Sequence, residues 1–227
     1  NTTTAVQTIT VHPAPPPVFD PVTDQTITCA AAAVFTAGNL NYTNGETGTC
    51  EISGSVLGVV TGTFDECGGT LTQTWTFSDA CNSITAVQTI TVQPAPPPVF
   101  DPVVDQTITC AAADVFTPTN LNYTNGETGA CEISGSVLGV VTGTFDECGG
   151  TLTQTWTFSD ACNSITAVET ITVQPAPPPV FDPVVDQTIT CAAADVFTPT
   201  NLNYTNGETA TCEISGSVLG VVTGTFD

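Results

Sequence analysis

The sequence predicts an all-β protein made of tandem immunoglobulin-like β-sandwich repeats of about 81 residues, joined by proline-rich linkers. The cysteines recur at one constant interval, and so does the text around them, since TWTFSDACNSITAV starts at Thr74 and again at Thr155. The segments between cysteines alternate with a period of two and show no helical period. The 227 residues therefore hold just under three repeats rather than one large domain.

The register of the repeat sets the expected domain boundaries. Asn1 aligns with Asn82 and Asp227 aligns with Asp65, so the register predicts an interior stretch of a longer protein. We expect the last strand of a preceding repeat at 1–13, a first repeat at 14–94, a second at 95–175 and a truncated third at 176–227.

Each repeat opens on a proline-rich segment, APPPVFDPV in the first. Three consecutive prolines favour an extended, semi-rigid polyproline conformation, which predicts a stiff spacer between domains. The linker prolines are Pro15, Pro16, Pro17, Pro96, Pro97, Pro98, Pro177, Pro178 and Pro179.

The strands of the first repeat follow in order. DQTITCA predicts a short strand, and AVFTAGNLNYTNGETGT a second strand with a turn at Asn44-Gly45. CEISGSVLGVVTGTF is either one long bent strand or a hairpin broken near Gly58. TLTQTWTFSD and ITAVQTITV alternate between apolar residues and threonine, with Gln73 interrupting the apolar face. The residues expected on the buried face are Leu71, Trp75, Phe77, Ile84, Ala86, Ile90 and Val92.

Four cysteines per repeat predict two disulfides per repeat and an oxidising compartment. Cys67 and Cys81 flank an extended strand of roughly 30 Å, which is too long for a disulfide between them. If the segment from Cys50 to Phe64 is one net traversal, the expected pairs are Cys29–Cys67, Cys50–Cys81, Cys110–Cys148 and Cys131–Cys162, and Cys191 and Cys212 lack partners. If that segment is a full hairpin, the pairs become Cys29–Cys81 and Cys50–Cys67.

The charge balance excludes several functions. The chain has no lysine or arginine against 22 acidic residues, so it lacks the cations that bind nucleic acid or anionic membranes. No apolar stretch approaches the roughly 20 residues of a membrane span, so no membrane insertion is expected.

The chain has few of the side chains that usually act in catalysis, which argues against an enzyme. The one histidine, His12, is replaced by Gln93 and Gln174 in the other repeats, and no lysine is present as a base or nucleophile.

Calcium is the one candidate cofactor, because a calcium ion bound by hard oxygen ligands at a domain junction could stiffen the junction. The candidate ligands are Asp20 and Asp24 at the junction, and Asp79 in a turn expected at the same end of the repeat.

TITCA, a central cysteine and then TWTFSDACNSITAVQTITV resemble the HYR-like and immunoglobulin-like repeats of giant Bacteroidota surface proteins, such as gliding adhesins and grappling-hook filaments. The resemblance covers nearly the whole repeat. It departs from the pattern after Cys81, where Asn82 follows directly instead of glycine. The resemblance implies an immunoglobulin-like sandwich, type IX export and a place on the bacterial cell surface.

The expected function is a structural repeat region of an extracellular bacterial filament or adhesin stalk, giving length and stiffness. Its expected partners are copies of itself in a homo-oligomeric fibre, with any cell-surface target reached through other regions. The alternative is an adhesive module that binds a glycan or protein through its loops. Differences between repeats are scattered, as at Ala33 against Asp114 and Asp195, which favours the stalk.

Overall fold

The computed structural model describes residues 1–224. Strands dominate its regular structure, so the predicted all-β class is confirmed. The chain forms two compact units. Unit 1 contains Asn1–Pro98 together with Thr124–Ser134, and unit 2 contains Val99–Tyr123 together with the chain from Gly135 onward. Each unit is therefore built from two separate stretches of sequence.

The first set of elements comprises seven strands, one short helix and one 3-10 turn. These are β1 (Val18–Phe19), β2 (Gln25–Ile27), α1 (Cys29–Ala33), β3 (Asn39–Thr43), η1 (Gly48–Cys50), β4 (Ser53–Leu57), β5 (Val59–Asp65), β6 (Gly68–Ser78) and β7 (Ser83–Val92).

The same elements recur in the second set. These are β8 (Val99–Phe100), β9 (Gln106–Ile108), α2 (Cys110–Asp114), β10 (Asn120–Thr124), η2 (Gly129–Cys131), β11 (Ser134–Leu138), β12 (Val140–Asp146), β13 (Gly149–Ser159) and β14 (Ser164–Val173). The third set comprises β15 (Val180–Phe181), α3 (Cys191–Ala194), β16 (Asn201–Thr205), η3 (Ala210–Cys212) and β17 (Ser215–Leu219).

Each full set of strands forms a three-stranded and a four-stranded sheet. In the first set the orders are β1-β3-β4 and β2-β7-β6-β5, and in the second β8-β10-β11 and β9-β14-β13-β12. The pairing is antiparallel in β5-β6-β7, whereas β2 runs parallel to β7. The third set contributes the three-stranded sheet β15-β16-β17.

The core of unit 1 lies under the central strand β6. Leu71 and Trp75 are buried as the alternation predicted, and Ile90 of β7 is completely buried. Gln73 is also buried, and its Nε2 donates a hydrogen bond to the Gly38 carbonyl at 3.1 Å. The Trp75 indole N–H donates to the same carbonyl at 2.8 Å. Gln73 therefore satisfies a buried backbone group rather than disrupting the apolar face.

Aromatic rings connect the two sheets of unit 1. Tyr42 of β3 stacks on Phe77 of β6 with ring centroids 4.1 Å apart, and Phe19 of β1 meets Tyr42 edge-on at 5.9 Å. Offset and edge-to-face ring pairs add to the burial of their apolar area. Tyr42, the aromatic next to the Asn-Gly turn, is thus a packing residue of the sandwich.

Gly58 is where the chain passes from one sheet to the other. β4 pairs with β3, whereas β5, after Gly58, pairs with β6. A Cβ at Gly58 would lie 2.4 Å from Nε2 of the buried Gln73. Since β4 and β5 pair with different strands and not with each other, the segment is the long bent strand of the two predicted alternatives, and Gly58 leaves room for the Gln73 side chain.

The short helices were missed by the sequence prediction, which found no helical period. Thr28 caps α1, and its hydroxyl accepts a hydrogen bond from the Ala31 N–H at 3.2 Å. Four consecutive alanines follow Cys29, and alanine has the highest helix propensity. One turn is too short to show a period, so the signal was the cap and the alanine run.

The first two proline segments pack into the units instead of forming free spacers, whereas Pro177, Pro178 and Pro179 of the third segment are exposed. Pro17 and Pro98 are fully buried. The Pro15 carbonyl accepts a hydrogen bond from Asn44 Nδ2 at 3.3 Å, and the Ala95 N–H donates to the Glu66 carbonyl at 2.9 Å. Burial and hydrogen bonds therefore hold these two segments against the rest of the fold.

No helix within residues 1–224 is both long and apolar enough to cross a membrane.

Trp75→Ala should destabilise unit 1 by about 3–5 kcal/mol, because it leaves a cavity and removes a donor from the Gly38 carbonyl. Denaturation followed by circular dichroism should show a new early transition, while Trp156 fluorescence reports unit 2 separately. Thr76→Ala, on the exposed face of the same strand, is the control. Equal shifts for the two variants would contradict this description of the core.

Candidate functional site: the helix–loop disulfide

Two disulfides of the same kind connect a short helix to a 3-10 turn far along the chain. Cys29 at the start of α1 is bonded to Cys131 of η2, and Cys110 at the start of α2 is bonded to Cys212 of η3. In each bond the Cα atoms lie 5.8 Å apart and the cysteines are separated by 102 residues. We call this arrangement the helix–loop disulfide.

The predicted pairing within repeats is therefore wrong. Pairs Cys29–Cys67, Cys110–Cys148 and Cys131–Cys162 are replaced, since Cys29, Cys110 and Cys131 have other partners, and Cys212 is bonded although it was expected to lack a partner. The pair Cys50–Cys81 is not formed either. The cysteines with free, exposed thiols are Cys50, Cys81, Cys148 and Cys191, whereas Cys67 and Cys162 are disulfide-bonded.

The error came from assuming that each repeat closes on itself. The exclusion of a bond between Cys67 and Cys81 agrees with the structure, because both flank the single 11-residue strand β6. The loop Thr124–Ser134, however, belongs to unit 1 although it comes from the following repeat. The cysteine spacing predicts that the same bonds recur from repeat to repeat, but it does not show whether a bond lies within one repeat or joins two.

The helix side of the site is fixed by the cap of α1. Thr28 ends the extended strand segment, and the helix begins at Cys29, which is only 2% exposed. The Cys29 Sγ lies 3.4 Å from the Asp65 carbonyl oxygen at the end of β5. Since a disulfide sulfur carries no hydrogen, this is a packing contact. The sulfur thus sits between the helix and the edge strand of the four-stranded sheet.

The loop side is organised by one asparagine. Asn125 Nδ2 donates to the Cys131 carbonyl at 2.8 Å, and Asn125 Oδ1 accepts hydrogen bonds from the backbone N–H groups of Glu127 and Ile133 at 3.1 and 3.0 Å. Asn125 Nδ2 also lies 3.3 Å from the Pro96 carbonyl oxygen. Asparagine is suited to such local backbone bonding, and here it holds η2 in position for Cys131.

The same loop conformation is found in each of the three repeats, because each repeat contains the same loop sequence. Asn44 Nδ2 donates to the Cys50 carbonyl at 2.8 Å, and Asn206 Nδ2 donates to the Cys212 carbonyl at the same distance. Cys50 is a free thiol, whereas Cys212 is bonded. The loop is therefore formed by its own hydrogen bonds and does not depend on the disulfide.

The helix–loop disulfides are part of the hydrophobic core. In unit 2, Cys110 and Cys212 cluster with Leu152, Ile171 and Val173, all of them buried. In unit 1, Cys131 is 1% exposed and the neighbouring Ile133 5%. A buried disulfide is shielded from thiol reductants, because exchange requires access of the attacking thiolate to a sulfur.

The turn after β6 is held by a carboxylate. Asp79 Oδ1 accepts hydrogen bonds from the N–H groups of Cys81 and Asn82 at 2.8 and 2.7 Å. The Cys81 amide, followed by the Asn82 side chain, lowers the pKa of Asp79 below its ordinary value. The Cys162 amide lowers the pKa of Asp160 in the same way. These bonds hold the turn between β6 and β7 in place.

The candidate calcium ligands do not come together. Asp24 Oδ1 accepts a hydrogen bond from the Thr89 N–H at 2.8 Å. Asp79 lies beyond the far end of the same strand, β7, about 20 Å from Thr89 at the usual rise per residue. Asp79 lines a cleft with Pro13 and Ala14, beside the start of the first repeat as expected, but it lies too far from Asp24 to share a cation with it. Asp20 contributes its backbone N–H to the Asn41 carbonyl.

A search against models of known protein families finds no match, and no curated protein matches the chain either.

Replacing both Cys29 and Cys131 with alanine should lower the free energy of unfolding by up to about 4 kcal/mol, because the unfolded chain loses a long covalent loop. The matched control replaces Cys50 and Cys191, which are free and exposed, and should change it by less than about 0.5 kcal/mol. Denaturant titration with free thiols alkylated measures both. Peptide mapping that found Cys29 bonded to any residue but Cys131 would contradict the site.

Asp79 should stabilise the protein above pH 3.8, its ordinary pKa, and lose that effect as the pH falls through its lowered folded pKa. The difference in stability between wild type and Asp79→Asn should therefore be constant near neutral pH and shrink in acid. Denaturant titrations from pH 6 to pH 2 measure this difference. A difference that grew in acid would contradict the assigned hydrogen bonds.

Proposed function

We propose that the chain is a structural repeat region of an extracellular bacterial surface filament or adhesin stalk, which gives length and stiffness. The helix–loop disulfides carry the proposal because their covalent loops overlap. One loop runs from Cys29 to Cys131 and the other from Cys110 to Cys212, so the segment from Cys110 to Cys131 belongs to both.

The overlap sets a short covalent path through the molecule. Force applied at Cys29 is transmitted through the first disulfide to Cys131 and then along the backbone to Cys110. From Cys110 it is transmitted through the second disulfide to Cys212. Only the backbone between Cys110 and Cys131 lies on this path. Fully stretched, this segment spans about 70 Å, against about 600 Å for the whole chain from Cys29 to Cys212 without disulfides.

Such a path suits a protein that carries tension. The β5-β6-β7 hairpins lie off the path, so stretching the oxidised chain does not pull them out one after another. The segment that does carry load contains α2, β10 and η2. Both disulfides are buried, which protects them from thiols in the surroundings.

Composition supports a place outside the cell. Disulfides persist in oxidising compartments, and a net charge of −22 keeps neighbouring chains soluble by mutual repulsion. With no lysine in the chain, covalent cross-links through lysine are not available and cysteine must supply them. Attachment to the bacterial cell surface and export by the type IX route belong to the same proposal.

Single-molecule stretching tests the role directly. With handles at the two termini, the oxidised chain should stop extending about 530 Å short of the reduced chain, because the residues off the path cannot be stretched. Denaturant should not change the oxidised limit.

The matched control removes only Cys110 and Cys212. This variant keeps the Cys29–Cys131 bond, so its limit should fall between those of the oxidised and reduced wild type. Equal extension of the oxidised and reduced wild type would overturn the proposed load path.

A further inference from the structure

The strand β7 is fully paired along one edge and only partly paired along the other. β6 pairs with it from Ser83 to Val92, whereas β2 pairs with it only over Ile90 to Val92. Within residues 1–224, no strand pairs with residues 83–88 on the side of β7 that faces β2. An unpaired strand edge is a template onto which another strand can add. We call residues 83–88, and the equivalent residues 164–169 of β14, the open edges.

The backbone groups of the open edge have a direction that follows from their alternation along the strand. The Thr89 N–H donates at 2.8 Å to Asp24 Oδ1, which directly precedes β2, so the Thr89 N–H points toward the β2 side. Alternate residues of a strand direct their N–H and C=O groups to the same side. Thr85 and Val87 therefore direct theirs to the open edge.

The second repeat has the same open edge. β9 pairs with β14 only over Ile171 to Val173, and Asp105 Oδ1 accepts a hydrogen bond from the Thr170 N–H at 2.8 Å. Val87 is 53% exposed and its counterpart Val168 is 51% exposed. The open edge is therefore a property of the complete repeat.

A cleft of about 410 Å³ runs beside the open edge of β7. It is lined on one side by residues 17–22 and on the other by Ile84, Thr85 and Ala86. Ile84 and Ala86 belong to the inner face of the sheet, as the alternation predicts, but both are only partly buried. At this edge the described chain therefore leaves both backbone groups and apolar side chains uncovered.

The open edges carry little of the protection that natural sheet edges have, namely charged residues, proline or irregular backbone. The opposite edge strand of the same sheet, β5, is interrupted by Gly62 with φ at 106°. Residues 83–88 contain no charged residue, proline or glycine, and residues 164–169 contain one charge, at Glu169. In a chain with a net charge of −22, two copies can approach each other with least repulsion along an uncharged edge.

We propose that two copies of this chain pair through their open edges, antiparallel and about a two-fold axis at Ala86, or at Ala167 in the second repeat. A two-fold interface requires a self-complementary surface, and this edge provides one. Thr85 lies opposite Val87 of the second copy, and each such pair exchanges two N–H···O=C hydrogen bonds, which gives four bonds in all. Ala86 lies opposite its own counterpart, where the Cα atoms approach to about 4.5 Å and a small side chain fits.

The second copy also covers the inner face at this edge. A two-fold axis perpendicular to the sheet keeps the inward-facing residues of both copies on one side. Ile84 and Ala86 of the second copy therefore cover the partly buried Ile84 and Ala86 of the first. In a pair of second-repeat edges, the two Glu169 residues lie four residues apart along the strands, about 14 Å, so salt screens their repulsion.

This pairing deepens the proposed structural role, on which it rests, by naming the surface through which chains of a fibre lie side by side. One pair of edges contributes four backbone hydrogen bonds and a small apolar contact. Interfaces of this size are weak, so we expect association that depends on protein concentration.

The test uses the full chain with its free thiols alkylated, so that no disulfide forms between copies. Sedimentation velocity at increasing protein concentration should show reversible self-association. Val87→Pro with Val168→Pro removes one edge donor per copy, two of the four bonds, and should raise the apparent dissociation constant at least about tenfold. The matched control, Val87→Ala with Val168→Ala, keeps these donors and should change it by less than about threefold. A wild-type chain that stays monomeric, or equal weakening by the two double variants, would overturn the proposal.

Amide hydrogen exchange of the alkylated chain without substitutions gives an answer even if proline unfolds a sheet. The N–H groups of Thr85 and Val87 should exchange more slowly at high protein concentration, whereas that of Val60 in β5, at the opposite edge of the sheet, should not change. Exchange at Val87 that does not depend on concentration, or an equal effect at Val60, would contradict the pairing. Stretching a single chain involves no contact between copies, so the structural role and the pairing can fail independently.

Discussion

The buried disulfide between a helix and the loop of the following repeat is the constraint on which the rest of the structure depends. It explains why a unit needs two stretches of sequence, since Thr124–Ser134 completes unit 1. It also explains why a turn of alanine helix interrupts a β-sandwich: the helix presents Cys29 to the loop, with Ala32 packed beneath it. Without this bond, a single repeat is so short that its core is of marginal size.

The absence of lysine and arginine leaves the fold without side-chain ion pairs to these residues, and hydrogen bonds to the backbone take their place. Asn125 organises the loop that carries Cys131, and Asp79 organises the turn before β7. Asp24 fixes the parallel pair of β2 and β7. Each is a short polar side chain bonding local or neighbouring amides, an arrangement that does not require a cation.

The sandwich core and the disulfides contribute differently to the proposed role under tension. A sandwich core resists unfolding, but under load it is the covalent connection that limits extension. Because successive disulfide loops overlap between Cys110 and Cys131, the array remains short even if a sheet unfolds.

The sequence by itself determined the fold class, the strands with clear alternation such as β6 and β7, the turn at Asn44-Gly45 and the candidate break at Gly58, because these follow from local residue patterns. It did not determine the role of Gln73, since its partner, the Gly38 carbonyl, is distant in sequence. It missed α1, which is too short to show a period. Above all, it left the cysteine pairing open. Because the repeats are nearly identical, each cysteine has equivalent candidate partners in its own repeat and in the neighbouring ones. Only the tertiary packing of a loop against the helix of the preceding repeat decides which two sulfur atoms form a bond.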